Sequence, residues 1–400
     1  MSRTLTRFFV LGALVAAVAQ TPAAHANKWP SFKDYELAVH RNEGQVFHDR
    51  DLQGSTVFRL RPGQLPVKWA NGPMMVVKMN SQVPGKSYAA RLFLNPPQHE
   101  RFGAIARALK GSGLAEKGII GEYEYQPQGV RINNRNYPMV KMSWVAGPTL
   151  DRHVEKVIRE RRHLELENDA EVWRATVNAF RKAGFAHGDI KHSNIKVTGG
   201  KYMTFIDLDD VYMQDFKGQE SSGVGDHHYR HPTREAEDFY LDMDNFSALV
   251  VYVSLKGLAH DPGLWHDKNI HISDGHGGGD NLIFQVSDFL EPHQSPAFRR
   301  LAQSPSREVR KLAAQLAEYS EKHMSEVPPL ETILTGARWK PDGIPARARA
   351  DEPEEATEDI ADEEAELDVA PAAIRRPLPG KTPQERMMRR LWELKHGGGR

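Results

Sequence analysis

The sequence predicts an α+β fold in which a small strand-rich part comes first and a larger helical part follows. Two observations carry this. Between Met74 and Met142 the apolar residues fall in short runs bounded by turn residues, with one stretch at helical spacing among them. From Leu150 onward the periodicity is mainly helical. Strands and helices gathered into two blocks point to α+β architecture.

Each element has its own reason. Residues 74–79 and 87–94 read as strands joined by a turn that holds Pro84 and Gly85. A helix follows, because Phe102, Ile105, Ala106 and Leu109 recur at the spacing of one helical face. Residues 118–126 and 130–142 read as further strands around Asn133 and Asn134. The helical part opens with expected helices over 150–167 and 170–183.

With 400 residues the chain can bury a sizeable core, as one large domain or two smaller ones. Acids and bases number 53 each, so the net charge singles out no partner. That balance hides a segregation. Residues 351–368 hold eleven acids and no base, and from Arg375 onward there are eight bases and two acids. Without those segments and the two N-terminal arginines the remainder is about +3, too mild for a nucleic-acid surface. There is no cysteine, which excludes disulfides, thiol nucleophiles and Cys-based zinc sites.

Arg3 and Arg7 precede an apolar run from Phe8 to Ala19, and Ala24-His25-Ala26 has the small-x-small form of a cleavage site. Residues 1–26 therefore read as a signal peptide, and the protein is expected to be exported, periplasmic or secreted. No other stretch is apolar enough to span a membrane after cleavage. Residues 337–381 are expected to form a disordered acidic linker. Residues 382–400 hold a short helix, capped by Thr382, with Met387, Leu391 and Leu394 on one face. That helix and the acidic tail could serve a partner or dock on the domain.

Chemistry concentrates in His187-Gly188-Asp189-Ile190-Lys191-His192-Ser193-Asn194 and, past a short hairpin, Asp207-Leu208-Asp209. Phosphoryl transfer asks a protein mainly for positioning and charge neutralisation. One carboxylate must orient the attacking hydroxyl and accept its proton. An amide oxygen and a second carboxylate must hold magnesium against the phosphates. A loop supplying the first two groups and a hairpin carrying the third meet those needs.

The motif resembles the catalytic loop of protein kinases, H-x-D-x-K-x-x-N, and the Asp that begins their D-F-G element. His-Gly-Asp in place of His-Arg-Asp is shared with aminoglycoside and choline phosphotransferases, whereas Lys191 is the mark of Ser/Thr protein kinases. The resemblance to the protein kinase-like superfamily covers about residues 29–316. It implies a two-lobed fold, with a small β-rich N-lobe over 27–142 and a larger helical C-lobe over 143–336. It implies ATP and magnesium as cofactors and a protein substrate as acceptor. By the same resemblance Asp189 is the catalytic base, Lys191 the contact to the transferred phosphate, and Asn194 and Asp207 the metal ligands. Ser143, Trp144 and Val145 match the hinge whose backbone meets adenine. Residues 223–232 match the substrate-docking end of the activation segment. Asp244 matches the aspartate that starts the central helix and braces the catalytic loop; with Asp242 it could equally be a solvated helix start.

Three departures stand out. Arg91 occupies the place of the strand lysine that grips the phosphates, with Glu100 on the next helix as its expected partner; a surface Arg and a solvated Glu are the plainer alternative. Asn71 and Gly72 stand where a glycine-rich loop would cover the phosphates, leaving one glycine, and Lys78 could supply the missing ammonium or be an exposed strand lysine. D-F-G has become Asp207-Leu208-Asp209, so Asp209 and Asp210 either add a metal contact or cap the next turn. These changes leave open two other readings, a nucleotide-binding pseudokinase acting as an interaction module and a small-molecule phosphotransferase. Export adds a tension, since a periplasm has no ATP supply: either the protein reaches an ATP-containing compartment, such as another cell, or its nucleotide chemistry is not ordinary. His266, His271, Asp274, His276 and Asp280 form a Gly-rich cluster that reads as a metal site or as a polar surface loop.

Overall fold

In the computed structural model, residues 29–61, 68–71, 74–272 and 279–340 are described. The expected signal peptide and terminal helix lie outside them, as does the expected linker beyond residue 340. The chain opens with α1 (Phe32–Asn42), which begins in a capping box: Ser31 Oγ accepts from Asp34 N–H at 3.3 Å, and Asp34 Oδ2 accepts from Ser31 N–H at 2.8 Å. The short α2 (Arg50–Gln53) is capped by Asp49. Neither helix was expected from the apolar periodicity.

Six strands follow: β1 (Thr56–Val57), β2 (Lys68–Asn71), β3 (Met74–Asn80), β4 (Ser87–Phe93), β5 (Tyr123–Ile132) and β6 (Arg135–Ser143). They form one antiparallel sheet in which β1 and β2 both pair with β3, and the order continues β4, β6, β5. Between β4 and β5 lies α3 (His99–Gly111), which buries Phe102, Ile105 and Leu109 as its spacing predicts.

Strand parity decides which residues reach the functional site. Met75, Val77 and Met79 on β3, with Ala90 and Leu92 on β4, join Tyr35, Val39 and Leu52 in a small apolar cluster on one sheet face. Val76, Ala89 and Arg91 therefore point to the other face. In register, Arg91 pairs with Val76 on one side and Val140 on the other. Asn133 (φ 48°) and Asn134 (φ 62°) make a two-residue hairpin turn, a conformation asparagine tolerates better than most residues. The strand expected over 118–126 instead starts at Tyr123 and runs on to Ile132 past an irregularity between Gln126 and Val130. The turn cut the expected 130–142 strand in two.

The helical half comprises α4 (Leu150–Arg159), α5 (Glu165–Lys182), the small hairpin β7 (Ile195–Lys196) and β8 (Thr204–Phe205), α6 (Asn245–His260), α7 (Val286–Leu290), α8 (Pro296–Leu301), α9 (Arg307–Glu321) and α10 (Leu330–Thr335). The helix expected over 150–167 breaks after Arg159, where Arg161 adopts φ 59°. Nearly all of α6 is buried, as an apolar helix without a polar face must be. Trp173 of α5 donates Nε1–H to the Ala248 carbonyl of α6 at 2.9 Å. One large apolar cluster runs from Met74 and Phe93 through α3 to Ile333. Among the described residues no helix is long and apolar enough to cross a membrane.

Candidate functional site

The loop from His187 to Asn194 is held from three sides. The Asp244 carboxylate, at the start of α6, accepts from the His187 N–H and from Gly188 N–H at 3.1 Å. Asp244 is thus a brace for the loop, whereas Asp242 pairs with Arg181 at 2.7 Å. His187 is wholly buried; its Nδ1 accepts from Asp189 N–H at 3.2 Å, so Nε2 carries the proton it gives to the Ile206 carbonyl at 2.9 Å. Arg234, itself buried, donates Nη1–H to the Gly188 carbonyl at 2.8 Å. Gly188 has φ 84°, and a methyl group there would fall well inside contact distance of the Asp210 carbonyl oxygen. This explains glycine between His187 and Asp189 in conformational terms.

Asp189 is brought together with Lys191 and Asn194. Its Oδ2 meets Lys191 Nζ at 2.9 Å and accepts from Asn194 Nδ2 at 3.0 Å; its Oδ1 accepts from Asp226 N–H at 2.9 Å. Burial alone would raise the Asp189 pKa, but the charge and hydrogen bond of Lys191 outweigh it and hold the carboxyl below its usual range. Lys191 moves the opposite way: burial opposes its charge, and Asp189 more than restores it. At neutral pH the pair is carboxylate and ammonium.

A cavity of about 350 Å³ opens beside this loop. Its wall includes Val76 and Ala89 from the sheet, Ser143 at the end of β6 with Trp144 and Val145 after it, and Asn194 and Asp207 from the loop region. Ser143 N–H already donates to Glu122 O at 3.1 Å and Trp144 N–H to Ser87 O at 2.9 Å. Val145 is the first of the three whose N–H has no backbone partner among the described residues. Volume and mixed lining suit a small ligand with an apolar body and a polar end.

Arg91 lines the same cavity and is only 3% exposed. Its Nη2 lies 2.8 Å from Asp207 Oδ1 and 2.6 Å from Asp209 Oδ2. The expected pair with Glu100 is not formed, because Glu100 is exposed on the first turn of α3. The neighbouring Arg101 turns inward instead, giving Nη2–H to the Asp209 carbonyl at 3.4 Å and stacking over Phe216 at 4.6 Å. Asp209 neither caps a turn nor lines the cavity: it pairs with Arg91. Burial costs the Arg91 charge, but Asp209 and Asp207 more than offset it. Burial also raises the Asp209 pKa although Arg91 sits beside it. Both directions are consistent, since one guanidinium cannot fully compensate two partly buried carboxylates. Asp207 itself adopts φ 65°, a left-handed conformation that aspartate tolerates.

Magnesium fits these residues in part. Asn194 gives its amide hydrogens to Asp189 O at 2.9 Å and to Oδ2, which leaves the amide oxygen as the group able to meet a cation. Asp207 supplies a carboxylate on the cavity wall. Two hard oxygens with the rest of the shell from phosphates and water is a usual magnesium arrangement. Among the described residues no group of three or more His, Asp or Glu is arranged to hold a metal. Asp274 and His276 lie outside the described residues, and His271 stacks on Trp265 at 3.8 Å.

Asn71 lies at the end of β2 opposite Met74, and Gly72 is outside the described residues. Lys78 does not line the cavity; its ammonium lies over Phe58 at 4.6 Å and Trp144 at 4.8 Å. Sequence reasoning missed Arg234, whose side chain holds the loop through a backbone carbonyl and so leaves no motif; Asp226 fell within the stretch matched to the activation segment, but its N–H bond to Asp189 was not foreseen. It also missed Lys196, a cavity-lining residue two positions after Asn194 whose pKa burial lowers. Neither protein-family models nor characterised proteins give a match to this sequence.

Proposed function

We propose that the chain is an ATP- and magnesium-dependent phosphotransferase of the Ser/Thr protein kinase type, with a two-lobed kinase-like arrangement. The sheet and α3 would form the small lobe, and α4 to α10 the large one. One observation carries the reading. Arg91, Ser143 to Val145, Asn194 and Asp207 come from four separate stretches, each matched to nucleotide or metal by its motif, and all line one cavity.

The chemistry follows from these residues. Val76, Ala89 and Ile206 offer apolar surface to a base, and Val145 N–H offers it a donor. Arg91 supplies positive charge where the phosphates would lie. Asn194 and Asp207 would hold magnesium, which when bound neutralises charge on the phosphates. Asp189, kept ionised by Lys191, accepts the proton of the attacking hydroxyl. Lys191 favours a protein acceptor over a small molecule. A second reading, a nucleotide-binding pseudokinase, is favoured by the Arg91–Asp207 pair, which occupies the metal-side carboxylate.

Thermal unfolding of the full chain with and without ATP and magnesium tests the nucleotide site. A ligand that binds only the folded state adds about 2.7 kcal/mol at a hundredfold excess over its Kd. A stabilisation seen in the wild type and lost in Asp207→Ala is expected. No shift at millimolar ATP would refute the site.

A further inference from the structure

Arg91 is an arginine where a lysine was expected, and Asp209 an aspartate where a glycine was expected. The two departures touch each other: Arg91 Nη2 meets Asp209 Oδ2 at 2.6 Å. A buried guanidinium needs a partner, because a buried charge left alone is strongly unfavourable. The helix residue expected to serve, Glu100, is exposed and elsewhere.

The two aspartates stand differently toward the ligand. Asp207 is part of the cavity wall and Asp209 is not. Arg91 thus bridges a carboxylate that a ligand can reach and one behind it. A second observation concerns hydrogen bonds. Arg91 Nε and Asp209 Oδ1 are both buried with no partner among the described residues. These are an unused donor and an unused acceptor on two side chains already joined through their other atoms. A turn of the guanidinium into a side-on, two-bond pair with Asp209 would satisfy both, and arginine favours that fork geometry.

We propose that Asp209, and no residue of α3, is the positioning anchor of Arg91 in the phosphate grip. When ligand and its cation engage Asp207, Arg91 releases Asp207 and pairs side-on with Asp209, keeping its charge buried and paired while facing the phosphates. This rests on the nucleotide-site reading above. It accounts for both departures at once, since exchanging the strand lysine for arginine is matched by a new acid in the segment after Asp207.

The test is ATP affinity of the full-length protein, by isothermal titration calorimetry with magnesium. Asp209→Asn should weaken binding at least tenfold, and Asp209→Glu should recover most of it. Glu100→Gln should bind as the wild type does. Because Asp209→Asn can also destabilise the fold, the decisive arm is a cycle on Arg91→Met. If Asp209 acts through Arg91, adding Asp209→Asn to Arg91→Met costs no further affinity. An additive loss in the double variant, an unchanged Asp209→Asn, or a Glu100→Gln defect as large as that of Asp209→Asn would overturn the anchor while leaving the nucleotide site standing. A wild type that binds no ATP would instead sink the reading beneath it.

Discussion

Gly188→Ala separates backbone strain from close packing in the loop that carries Asp189. Gly188 has φ 84°, so alanine must adopt a left-handed conformation that costs roughly 1–2 kcal/mol. The added methyl also meets the Asp210 backbone carbonyl, which cannot rotate away as a side chain would. Overpacking of that kind adds about 1–3 kcal/mol. The unfolded chain loses some entropy too, which returns roughly 0.4–1 kcal/mol. The expected net loss is about 2–4 kcal/mol. Gly184, just past α5, is the matched control: its φ is 87° and nothing lies within 4 Å of an added methyl. Gly184→Ala should therefore cost only about 1 kcal/mol. Urea unfolding followed by tryptophan fluorescence reads the difference. With a slope of about 3 kcal/mol per molar, the midpoint should fall by roughly 1 M for Gly188→Ala and about 0.3 M for Gly184→Ala. Equal losses in the two variants would refute the contact with Asp210 as the reason for glycine.

Two further outcomes follow from the same geometry. Asp244→Ala leaves the His187 and Gly188 amides without their acceptor and should cost about 2–4 kcal/mol, read by the same urea titration; an unchanged midpoint would exclude Asp244 as the brace. His228 is buried and accepts from Val286 N–H at 3.1 Å; burial, then the His227 ring beside it, pushes its pKa down to about 4. A folded-state value below the ordinary 6.5 means the unfolded chain binds the proton first, so stability falls as pH drops from about 6.5 to about 4, by up to roughly 3 kcal/mol. His228→Gln should flatten that part of the stability-versus-pH curve, and a variant with the wild-type slope would contradict the assignment.

What the sequence made legible was set by how local each determinant is. The β3 and β4 strands and the α3 face could be read because their apolar period is local. Asp189, Lys191 and Asn194 could be grouped in advance because one short loop carries all three, and the structure brings them into contact. Asp209 could not: its role depends on Arg91, 118 residues earlier, and no local pattern joins them. Glu100 looked suitable from its place on the helix, yet the neighbouring Arg101 is the residue turned inward. The hairpin at Asn133 and Asn134 was visible as a turn, but strand limits around it depended on pairing partners. The helices α1 and α2 gave too few apolar repeats to register.

Transfer of the γ-phosphate from ATP to a protein acceptor, including the chain itself, tests the central claim most directly, with wild type and Asp189→Asn compared at equal ATP occupancy. The account predicts labelling by the wild type and a fall of about 10²- to 10⁴-fold in Asp189→Asn, with ATP binding retained. Equal labelling by both proteins, or no labelling by a wild type that binds ATP and magnesium, would contradict it.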